Sequence, residues 1–413
     1  MSPPHYPLSG ITVIDLSHVY NGPYATFLMA MAGADVIKVE PPGGEHLRSR
    51  GDLGGAALPF AMLNSNKKPV TLNLKSEKGR DLLREMAARA DVLVENFAPG
   101  VTDRLGIGPA DLHKINPRLI YGSSSGYGKT GPYRDYPAMD LVMQAMCGVI
   151  NSTGFPDQPP VKSGAAICDF SAGIHLYAAI MTALYERERT GTGRVVEVSM
   201  QDATYASLAS NLGMVHARGA DAPARTGNRH GGLGISPYNL YPTKDGYVVL
   251  NCPGDHHFRA VLDVMGRPDL KDDPRFHTRS TRVAHFAAVD ELIEGWTKTL
   301  TKNEVARRML AAKVPCAPVR DLLEVMHDEN MHARGSLQWI DHPELGRIAL
   351  PHSPLVFEGT ERRPIEPSLP LGASNDAVFG DWLGHSQEEL AAFKAEGVIG
   401  SSAEVSASKV EVI

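Results

Sequence analysis

The segment ITVIDLSHVYNGPYATFLMAMAGADVIKVEPP, residues 11–42, decides the fold because it predicts a strand, a helix and a second strand in succession. Residues 11–16 are apolar and β-prone, residues 22–33 suit a helix, and residues 35–42 form a second apolar run that ends at prolines. Such a unit places two parallel strands in one sheet and packs the helix on a face of that sheet.

The same alternation continues further along the chain. Residues 68–74 predict a strand, residues 76–90 a helix with Ser76 as its N-cap, and residues 91–97 and 118–128 two more strands. Strands that alternate with helices favour a mostly parallel sheet covered on both faces, so we predict an α/β fold.

A nucleotide-binding Rossmann unit is the first interpretation of this pattern, but its fingerprint is missing. The turn after the first strand, SHVYNGPYA at residues 17–25, contains one glycine instead of G-x-G-x-x-G. The sequence therefore argues against a nicotinamide or flavin cofactor.

Composition is that of an ordinary globular protein and argues against several function classes. The 413 residues are 43% hydrophobic and 21% charged, and the chain is long enough for two compact units. A net charge of −6 argues against a general nucleic-acid binder. No apolar run approaches the length of a membrane span and no secretory signal is visible, so we expect a cytoplasmic protein without a membrane or nucleic-acid partner.

Neither the cysteines nor the histidines predict a metal site. The 16 histidines include no H-E-x-x-H arrangement, and the neighbours His256 and His257 would point in different directions. We therefore expect no bound metal. The four cysteines are too far apart for a C-x-x-C motif and predict buried free thiols, at Cys147, Cys168, Cys252 and Cys316.

A change in composition predicts a smaller α+β unit in the second half of the chain. The Gly-, Ala- and Arg-rich stretch 217–234 is typical of a linker. Residues 238–252 predict a β-hairpin that turns at Asp245–Gly246, and residues 289–300 and 302–313 predict helices.

Strands return after residue 336, and a last helix at residues 386–397 precedes a polar tail at 400–413 that we expect to be mobile. This return of strands agrees with a first domain that the smaller unit interrupts. The predicted segments are a large domain at 1–216, a linker and small α+β domain at 217–335, and a completing segment at 336–413.

Residues 161–173, VKSGAAICDFSAG, set the carboxylate of Asp169 among small and apolar neighbours. Because an apolar helix follows it, Asp169 is most simply interpreted as a helix N-cap. The glycines and alanines around it would also let a bulky acyl thioester approach a nucleophile, which a cap does not require. The local residues therefore allow both a capping and a catalytic interpretation.

Six segments carry the most specific motifs: AGADVIKVEPPGGE (32–45), NSNKKPVTLNLKSEKG (64–79), DVLVENFAPGVTDRLGIG (91–108), NPRLIYGSSSGYG (116–128), GAAICDFSAGIH (164–175) and LGHSQEELAAFKAEGVI (383–399). Together they resemble the class III coenzyme A (CoA) transferases of the CaiB/BaiF type, which include formyl-CoA and carnitine CoA-transferases. The resemblance runs from about residue 8 to residue 398. It implies a Rossmann-like large domain interrupted by a smaller α+β domain, and two chains interlocked as a homodimer.

The resemblance implies that the Asp169 carboxylate is a nucleophile that attacks the thioester of an acyl-CoA. The reaction would pass through a mixed anhydride and an aspartyl-CoA thioester, and would move CoA to a small carboxylic acid without ATP. Asp202, in VSMQDATYAS, is the rival carboxylate, but it follows a strand, opens a helix and is better interpreted as a cap.

The resemblance also implies which residues surround coenzyme A. Lys75 and Arg104 are cations suited to its phosphates, and the turn at residues 18–21 faces the thioester in the family. Gly231 and Gly232, in RHGGLG, are candidates for a lid. The implied CoA-site residues are His18, Val19, Tyr20, Asn21, Leu72, Lys75, Asn96, Phe97, Arg104 and Asp140.

Departures from the formyl-CoA transferases bear on specificity. Tyr20 and Pro41 stand where those enzymes have a glutamine and an arginine, so formyl and oxalyl groups are not implied. Pro137 stands where a lysine contacts phosphate, and Arg134 is a candidate substitute. Basic residues also suggest a dicarboxylate substrate such as succinate, namely Arg48, Arg50 and Arg134.

Other function classes stay open. The fold also serves 2-methylacyl-CoA racemases, which use an aspartate and a histidine, but Met139 stands before Asp140 where that histidine belongs. An intramolecular acyl-CoA isomerase is a related alternative, and a CoA-binding protein without turnover is the non-enzymatic one. Transfer requires a second acid, isomerisation requires none, and a binding protein consumes nothing.

Overall fold

A six-stranded parallel sheet forms the centre of the computed structural model, which describes residues 5–49 and 57–400. The strand order is β3-β2-β1-β4-β5-β6, so the chain runs outward in one direction from β1 and in the other from β4. The predicted parallel α/β sheet is confirmed. Its strands are Thr12–Asp15 (β1), Asp35–Glu40 (β2), Lys68–Thr71 (β3), Val92–Glu95 (β4), Ile120–Ser125 (β5) and Val195–Ser199 (β6).

Helices follow the strands where the sequence predicts them. The Ser76 hydroxyl accepts a hydrogen bond from the backbone N–H of Gly79 at 3.0 Å, so its predicted role as an N-cap is confirmed. The helices are Asn21–Met31 (α1), His46–Ser49 (α2), Ala57–Asn64 (α3), Glu77–Arg89 (α4), Val101–Arg104 (α5), Pro109–Ile115 (α6), Asp140–Met146 (α7), Val149–Ser152 (α8), Ile167–Thr190 (α9), Met200–Tyr205 (α10), Ala209–Arg218 (α11), Asp255–Val264 (α12), Arg279–Ala284 (α13), Phe286–Thr297 (α14), Lys302–Ala311 (α15), Leu322–Met326 (α16), Glu329–Ala333 (α17) and Gln387–Ala395 (α18), with a π-helical segment at Asp376–Trp382 and 3₁₀ turns at Ala206–Leu208, Gly219–Asp221 and Pro268–Asp272.

Both faces of the sheet are covered by apolar cores. Successive residues of a strand point to opposite faces, so Val13 and Ile14 of β1 belong to different clusters. On one face Val13 packs with residues of α1 and α9, including Met29 and Ile180. On the other face Ile14 packs with residues of α4, including Leu83. This double burial explains the continuous apolar runs of the strands.

The C-terminal segment returns to the core that contains Ile14. Phe379 and Phe393 are buried in that cluster. The side chain of Asn375 accepts from the backbone N–H of Thr71 at 2.9 Å and donates to the carbonyl of Gly400 at 2.8 Å, which ties the end of β3 to the end of the described chain. The rest of the predicted polar tail lies outside the described residues.

The fold divides into two compact units, of which the first holds the parallel sheet and takes in residues up to 143, 166–204 and those from 328 onward. It also contains an antiparallel pair, Leu337–His342 (β10) and Gly346–Pro351 (β11). Strands therefore return after residue 336, as the sequence predicts.

The second unit comprises residues 144–165 and 205–327. Its antiparallel sheet has the order β7-β8-β9, formed by Tyr238–Thr243, Gly246–Asn251 and Cys316–Pro318. The predicted hairpin is present, but Thr243 pairs with Gly246, so its turn is one residue earlier than expected. The unit starts and ends before the predicted boundaries 217 and 335 and includes residues 144–165; the division into domains stays a prediction.

Candidate functional site

The turn after β1 lies where the strand order of the sheet reverses. In an open parallel sheet, loops after the two strands at such a point leave in opposite directions and open a crevice at their carboxyl ends. Here β1 is followed by His18, Val19, Tyr20 and Asn21, and β4 by the segment Asn96–Phe97. Six of the residues implied by the family resemblance thus lie at one end of two neighbouring strands.

Asn96 joins these two loops. Its side-chain carbonyl accepts from the backbone N–H of His18 at 2.8 Å, and its amide nitrogen donates to the carbonyl of His18 at 2.8 Å. The same nitrogen donates to Oδ1 of Asn21 at 2.9 Å. The rings of His18 and Phe97 lie 5.5 Å apart. One asparagine therefore fixes the backbone and a side chain of the turn.

The turn itself is strained and crowded. Val19 has a φ of 66°, a left-handed conformation that is unusual for a β-branched residue and that proteins maintain where the surroundings enforce it. A Cβ on Gly22 would lie 2.3 Å from Cβ of Ser17, so only glycine fits at that position. The backbone at Val19 is thus held away from the relaxed minima, and the chain after it is closely packed.

The start of α9 corrects the capping interpretation of Asp169. The helix begins at Ile167, its N-cap is Ala166, and no side chain of that residue makes a cap bond, so Asp169 is the third helical residue. Oδ1 of Asp140 accepts from the backbone N–H groups of Cys168 at 2.9 Å and Asp169 at 3.2 Å. Asp140 therefore supplies the acceptor that the capping interpretation gave to Asp169.

The capping interpretation of Asp202 is also wrong. Helix α10 begins at Met200, and the hydroxyl of Ser199 accepts from the backbone N–H of Asp202 at 3.0 Å. Asp202 lies in the first turn, where a carboxylate is favoured by the helix dipole without being the cap.

Asp169 is a buried carboxyl group with an altered acidity. Its side chain is 8% exposed and makes no hydrogen bond or ion pair with any residue in the described ranges. Burial raises its pKa to about 7, and the negative charge of Asp140 contributes in the same direction. A desolvated carboxylate that no donor holds is more nucleophilic than one in water, so the geometry suits covalent chemistry at this position.

Helix α9 packs closely against the turn after β1. A Cβ on Gly173 would lie 2.6 Å from the carbonyl oxygen of Asn21, so this glycine allows the close approach. The ring of Phe170 lies 6.0 Å from that of Tyr20 and 4.8 Å from that of Tyr24. Asp169 precedes Gly173 by four residues, so both lie on the same face of α9, the face that approaches the turn.

The remaining implied residues differ in what they offer. The Leu72 side chain is 1% exposed and belongs to the core, so its side chain is not available to a ligand. Lys75 follows β3 and Arg104 follows β4; both are exposed, and neither side chain pairs with an acidic group of the described chain. Gly231 and Gly232 lie in the second unit, where a Cβ on Gly231 would lie 2.7 Å from Oδ1 of Asn211.

The arginines considered for a dicarboxylate are largely committed elsewhere. The Arg48 guanidinium binds the carboxylate of Glu40 at 2.8 Å and lies 4.1 Å from the centre of the Phe60 ring. Arg134 is exposed and pairs with its neighbour Asp135 at 3.1 Å. Arg50 lies outside the described residues. Arg48 therefore does not supply a free cation, which weakens the dicarboxylate hypothesis.

A buried group of charges beneath the turn was not predicted. Asp15, Lys38, Glu45 and Lys67 are all at most 3% exposed and are linked by ion pairs. A signal was present, because Lys38 lies in the middle of an apolar strand where a charged side chain is rarely found without a partner.

The described residues contain no candidate metal-binding cluster and one long apolar helix. Within residues 5–49 and 57–400, no three His, Cys, Asp or Glu side chains are grouped to hold a metal ion. By length and composition alone α9 is long and apolar enough to cross a membrane, contrary to the sequence expectation, and 44% of its most apolar window is buried inside the protein.

A family model described as CoA-transferase family III matches residues 8–375. The chain is 42% identical to an acetyl-CoA:oxalate CoA-transferase of Acetobacter aceti, with 89% of this chain and 94% of that protein covered. It is 38% identical to a formyl-CoA:oxalate CoA-transferase of Streptomyces coelicolor, with 95% and 99% covered. It is also 34% identical to a succinyl-CoA–D-citramalate CoA-transferase of Chloroflexus aurantiacus, with 96% and 99% covered.

A solved structure agrees with these relatives. The crystal structure of a CAIB/BAIF family protein from Brucella suis superposes with a TM-score of 0.80 at 34% identity, covering 91% of this chain and 99% of that one. The resemblance seen in the sequence is confirmed: this chain belongs to CoA-transferase family III.

Proposed function

We propose that the protein transfers CoA from an acyl-CoA thioester to a free carboxylic acid, with Asp169 as the covalent nucleophile. The observation that carries the proposal is a buried carboxyl group without side-chain donors, held at the start of α9 beside the turn at residues 18–21. Relatives that transfer CoA between acyl groups and small acids support the reaction class.

The reaction is balanced without a cofactor. The Asp169 carboxylate attacks the thioester carbonyl, which forms a mixed anhydride and releases CoA thiolate. The thiolate then attacks the aspartyl carbonyl, which forms an aspartyl-CoA thioester and releases the first acid as a carboxylate. The acceptor carboxylate attacks this thioester and forms a second mixed anhydride, and the thiolate attacks its acyl carbonyl to give the new acyl-CoA and free Asp169.

In this proposal the other site residues position Asp169 or bind coenzyme A. Asp140 holds the backbone of Asp169, and its negative charge favours the neutral form of the nucleophile. Lys75 and Arg104 are proposed to bind the CoA phosphates, because both are exposed cations that no described acidic residue neutralises. The turn at residues 18–21, with Asn96 and Phe97, is proposed to face the thioester.

Several features favour transfer over a racemase or isomerase. Met139 precedes Asp140 and its thioether cannot accept an α-proton at neutral pH. The relatives named above all transfer CoA. The chemical class proposed for both substrates is a small carboxylic acid, free or as its thioester, because the named relatives act on formyl, acetyl, succinyl and oxalate groups.

A homodimer is proposed from the apolar surface of the first unit. Four apolar side chains of α7 and α9 are each at least 42% exposed in the single chain, namely Leu141, Val142, Ile174 and Tyr185, and exposed apolar patches mark interaction surfaces. Light scattering on the purified protein should therefore give the mass of two chains; the mass of one chain would contradict the proposal.

Interlocking of the chains, a lid at Gly231–Gly232 and a cytoplasmic location remain predictions.

The covalent step predicts an adduct on one peptide. Wild-type protein mixed with acetyl-, formyl-, oxalyl- or succinyl-CoA should carry an acyl- or CoA-sized mass increase on the peptide that contains Asp169, and hydroxylamine should remove it. Asp169→Ala should form no adduct and lose at least 10³-fold in kcat, because the nucleophile is absent. Peptide mass mapping with steady-state rates measures both.

Asp202→Ala is the matched control, since it changes a first-turn carboxylate of another helix and should keep both the adduct and most of the activity. An adduct on a different residue would contradict the assignment. Solvent deuterium entering the α-carbon of the acyl group without any adduct would support the racemase instead.

The acidity of Asp169 predicts the pH dependence of the first step. Only the carboxylate attacks, so the rate of adduct formation should fall tenfold per pH unit below about 7 and level off above it. Asp140→Asn keeps an acceptor for the backbone N–H groups but removes a negative charge, so it should move the midpoint to lower pH. Stopped-flow rates between pH 5 and 9 test this, and an unmoved midpoint would exclude Asp140 as a cause.

The same group predicts a pH-dependent loss of stability. The folded pKa of about 7 lies above the ordinary value of 3.8, so the stabilising contribution is present below about pH 4 and is lost as pH rises toward 7. Asp169→Asn should therefore raise the free energy of unfolding relative to wild type by about 2–3 kcal/mol more at pH 8 than at pH 5. Urea unfolding at the two pH values measures it, and an equal effect at both would contradict the buried-carboxyl account.

A further inference from the structure

We propose that Lys38 and Glu45 are positioning residues of the acyl site, which act by holding Ser17 and His18 at the start of the turn. The inference rests on the proposed function only in that this turn is taken to face the thioester. Neither residue reaches the turn's open side, because both side chains are essentially buried.

Lys38 connects β2 to the end of β1. Its ammonium group donates to the backbone carbonyl of Ser17 and to Oε2 of Glu45, the latter at 2.9 Å. Burial would lower the pKa of Lys38, but the carboxylates of Glu45 and Asp15 outweigh it and raise the pKa. The lysine therefore stays charged, and it fixes the carbonyl from which the turn departs.

Glu45 faces the imidazole of His18. Its Oε2 lies 3.5 Å from Nδ1 of His18, and its own backbone N–H donates to the carboxylate of Glu40 at 3.0 Å. A carboxylate beside Nδ1 favours the proton on that nitrogen, which leaves Nε2 as the nitrogen available to a substrate. Oε1 of Glu45 has no partner within the described ranges, so one lone-pair side of the carboxylate is uncommitted.

A second buried pair holds the other end of the turn. Lys67 donates to Oδ2 of Asp15 at 2.9 Å, to the carbonyl of Pro23 at 3.0 Å and to the hydroxyl of Thr26 at 2.8 Å. Asp15 also accepts from the backbone N–H of Ser17 at 3.0 Å. The first turn of α1 and the end of β1 are thereby joined beneath residues 18–21, and the two lysines balance the two carboxylates.

This arrangement explains the strained backbone of Val19. Left-handed conformations of β-branched residues persist only where neighbouring contacts over-determine the chain, and the fixed points here are Ser17 on one side and Pro23 on the other. Releasing one fixed point should let the turn relax and withdraw His18 from its position.

Single and double replacements of a buried ion pair affect the stability of the fold differently. This difference allows the positioning role of Lys38 and Glu45 to be separated from their effect on folding. Removing one partner leaves an uncompensated charge and destabilises the fold, whereas replacing both by apolar side chains is often neutral. Lys38→Met and Glu45→Leu should each lower the urea midpoint. The double variant should recover most of the wild-type midpoint, because Asp15 keeps Lys67 and Glu40 keeps Arg48.

The decisive measurement is hydrogen exchange of the double variant, with adduct formation alongside. If the pair positions the turn, amides in the peptide covering residues 17–24 should exchange at least tenfold faster than in wild type, while residues 195–204 are unchanged. The rate of adduct formation, and kcat, should stay at least tenfold below wild type with little change in KM for acyl-CoA, since the phosphates are bound elsewhere. The proposal would be overturned if the double variant matched wild type in hydrogen exchange of residues 17–24, in the rate of adduct formation and in kcat.

Arg187→Met is the matched control, because Arg187 is equally buried and pairs with Asp91 at 3.0 Å near the other end of α9. It should lower the urea midpoint but leave residues 17–24 and the adduct rate unchanged. If wild type forms no adduct, the proposed function fails, while the exchange result still decides the positioning role. If the double variant does not fold, Glu45→Gln replaces it in the same measurements. A lower kcat and faster hydrogen exchange of residues 17–24 would support the inference, and wild-type values for both would overturn it.

Discussion

The site depends on the bond between Asn96 and the backbone of His18, which joins the loops of two strands at the reversal of the sheet. Parallel strands present their carboxyl ends at one edge, but neighbouring loops there diverge, and a crevice forms only if each loop keeps a fixed path. One amide side chain satisfies both polar groups of a backbone unit and also Asn21. The two loops at this edge therefore keep a fixed path relative to each other.

Asp169, the proposed reactive residue, lies in the first turn of α9 but does not cap the helix. The dipole at the first turn of α9 would stabilise a carboxylate, yet burial and Asp140 act against it, and the net effect is a pKa of about 7. Asp140 satisfies the backbone N–H groups that the helix leaves open. Gly173 brings the helix close to the turn because no Cβ stands between them. Glycine at position 173 thus allows the helix to pack against the turn. The sequence alone suggests a different reason for the small residues here, namely room for an acyl thioester.

The sequence is most informative where structure is local and least where it depends on pairs distant in the chain. The alternation of residues 11–42 predicts the sheet, and Ser76 predicts a cap, because both depend on neighbours a few residues away. The local sequence allowed Asp169 as the cap of α9, because the true acceptor, Asp140, is 29 residues earlier. Lys67 and Asp15 are 52 residues apart, so their pairing had no local signal. Family motifs, not periodicity, singled out the CoA residues.

The absence of donors on the Asp169 side chain, within the described residues, follows from the chemistry proposed for it. In the cycle this carboxyl group is in turn a free carboxylate, a mixed anhydride and a thioester, and a donor that stabilises the charge of the first form would stabilise the two neutral forms less. A donor would also weaken the nucleophile by stabilising its charge. The fold instead places its polar support on the backbone of Asp169, whose N–H donates to Asp140, and on the turn that Lys38 and Lys67 hold. The backbone hydrogen bond is the same in all three forms, so it orients the carboxyl group throughout the cycle. The negative charge of Asp140, in contrast, disfavours the free carboxylate relative to the neutral anhydride and thioester, and therefore favours the covalent stages.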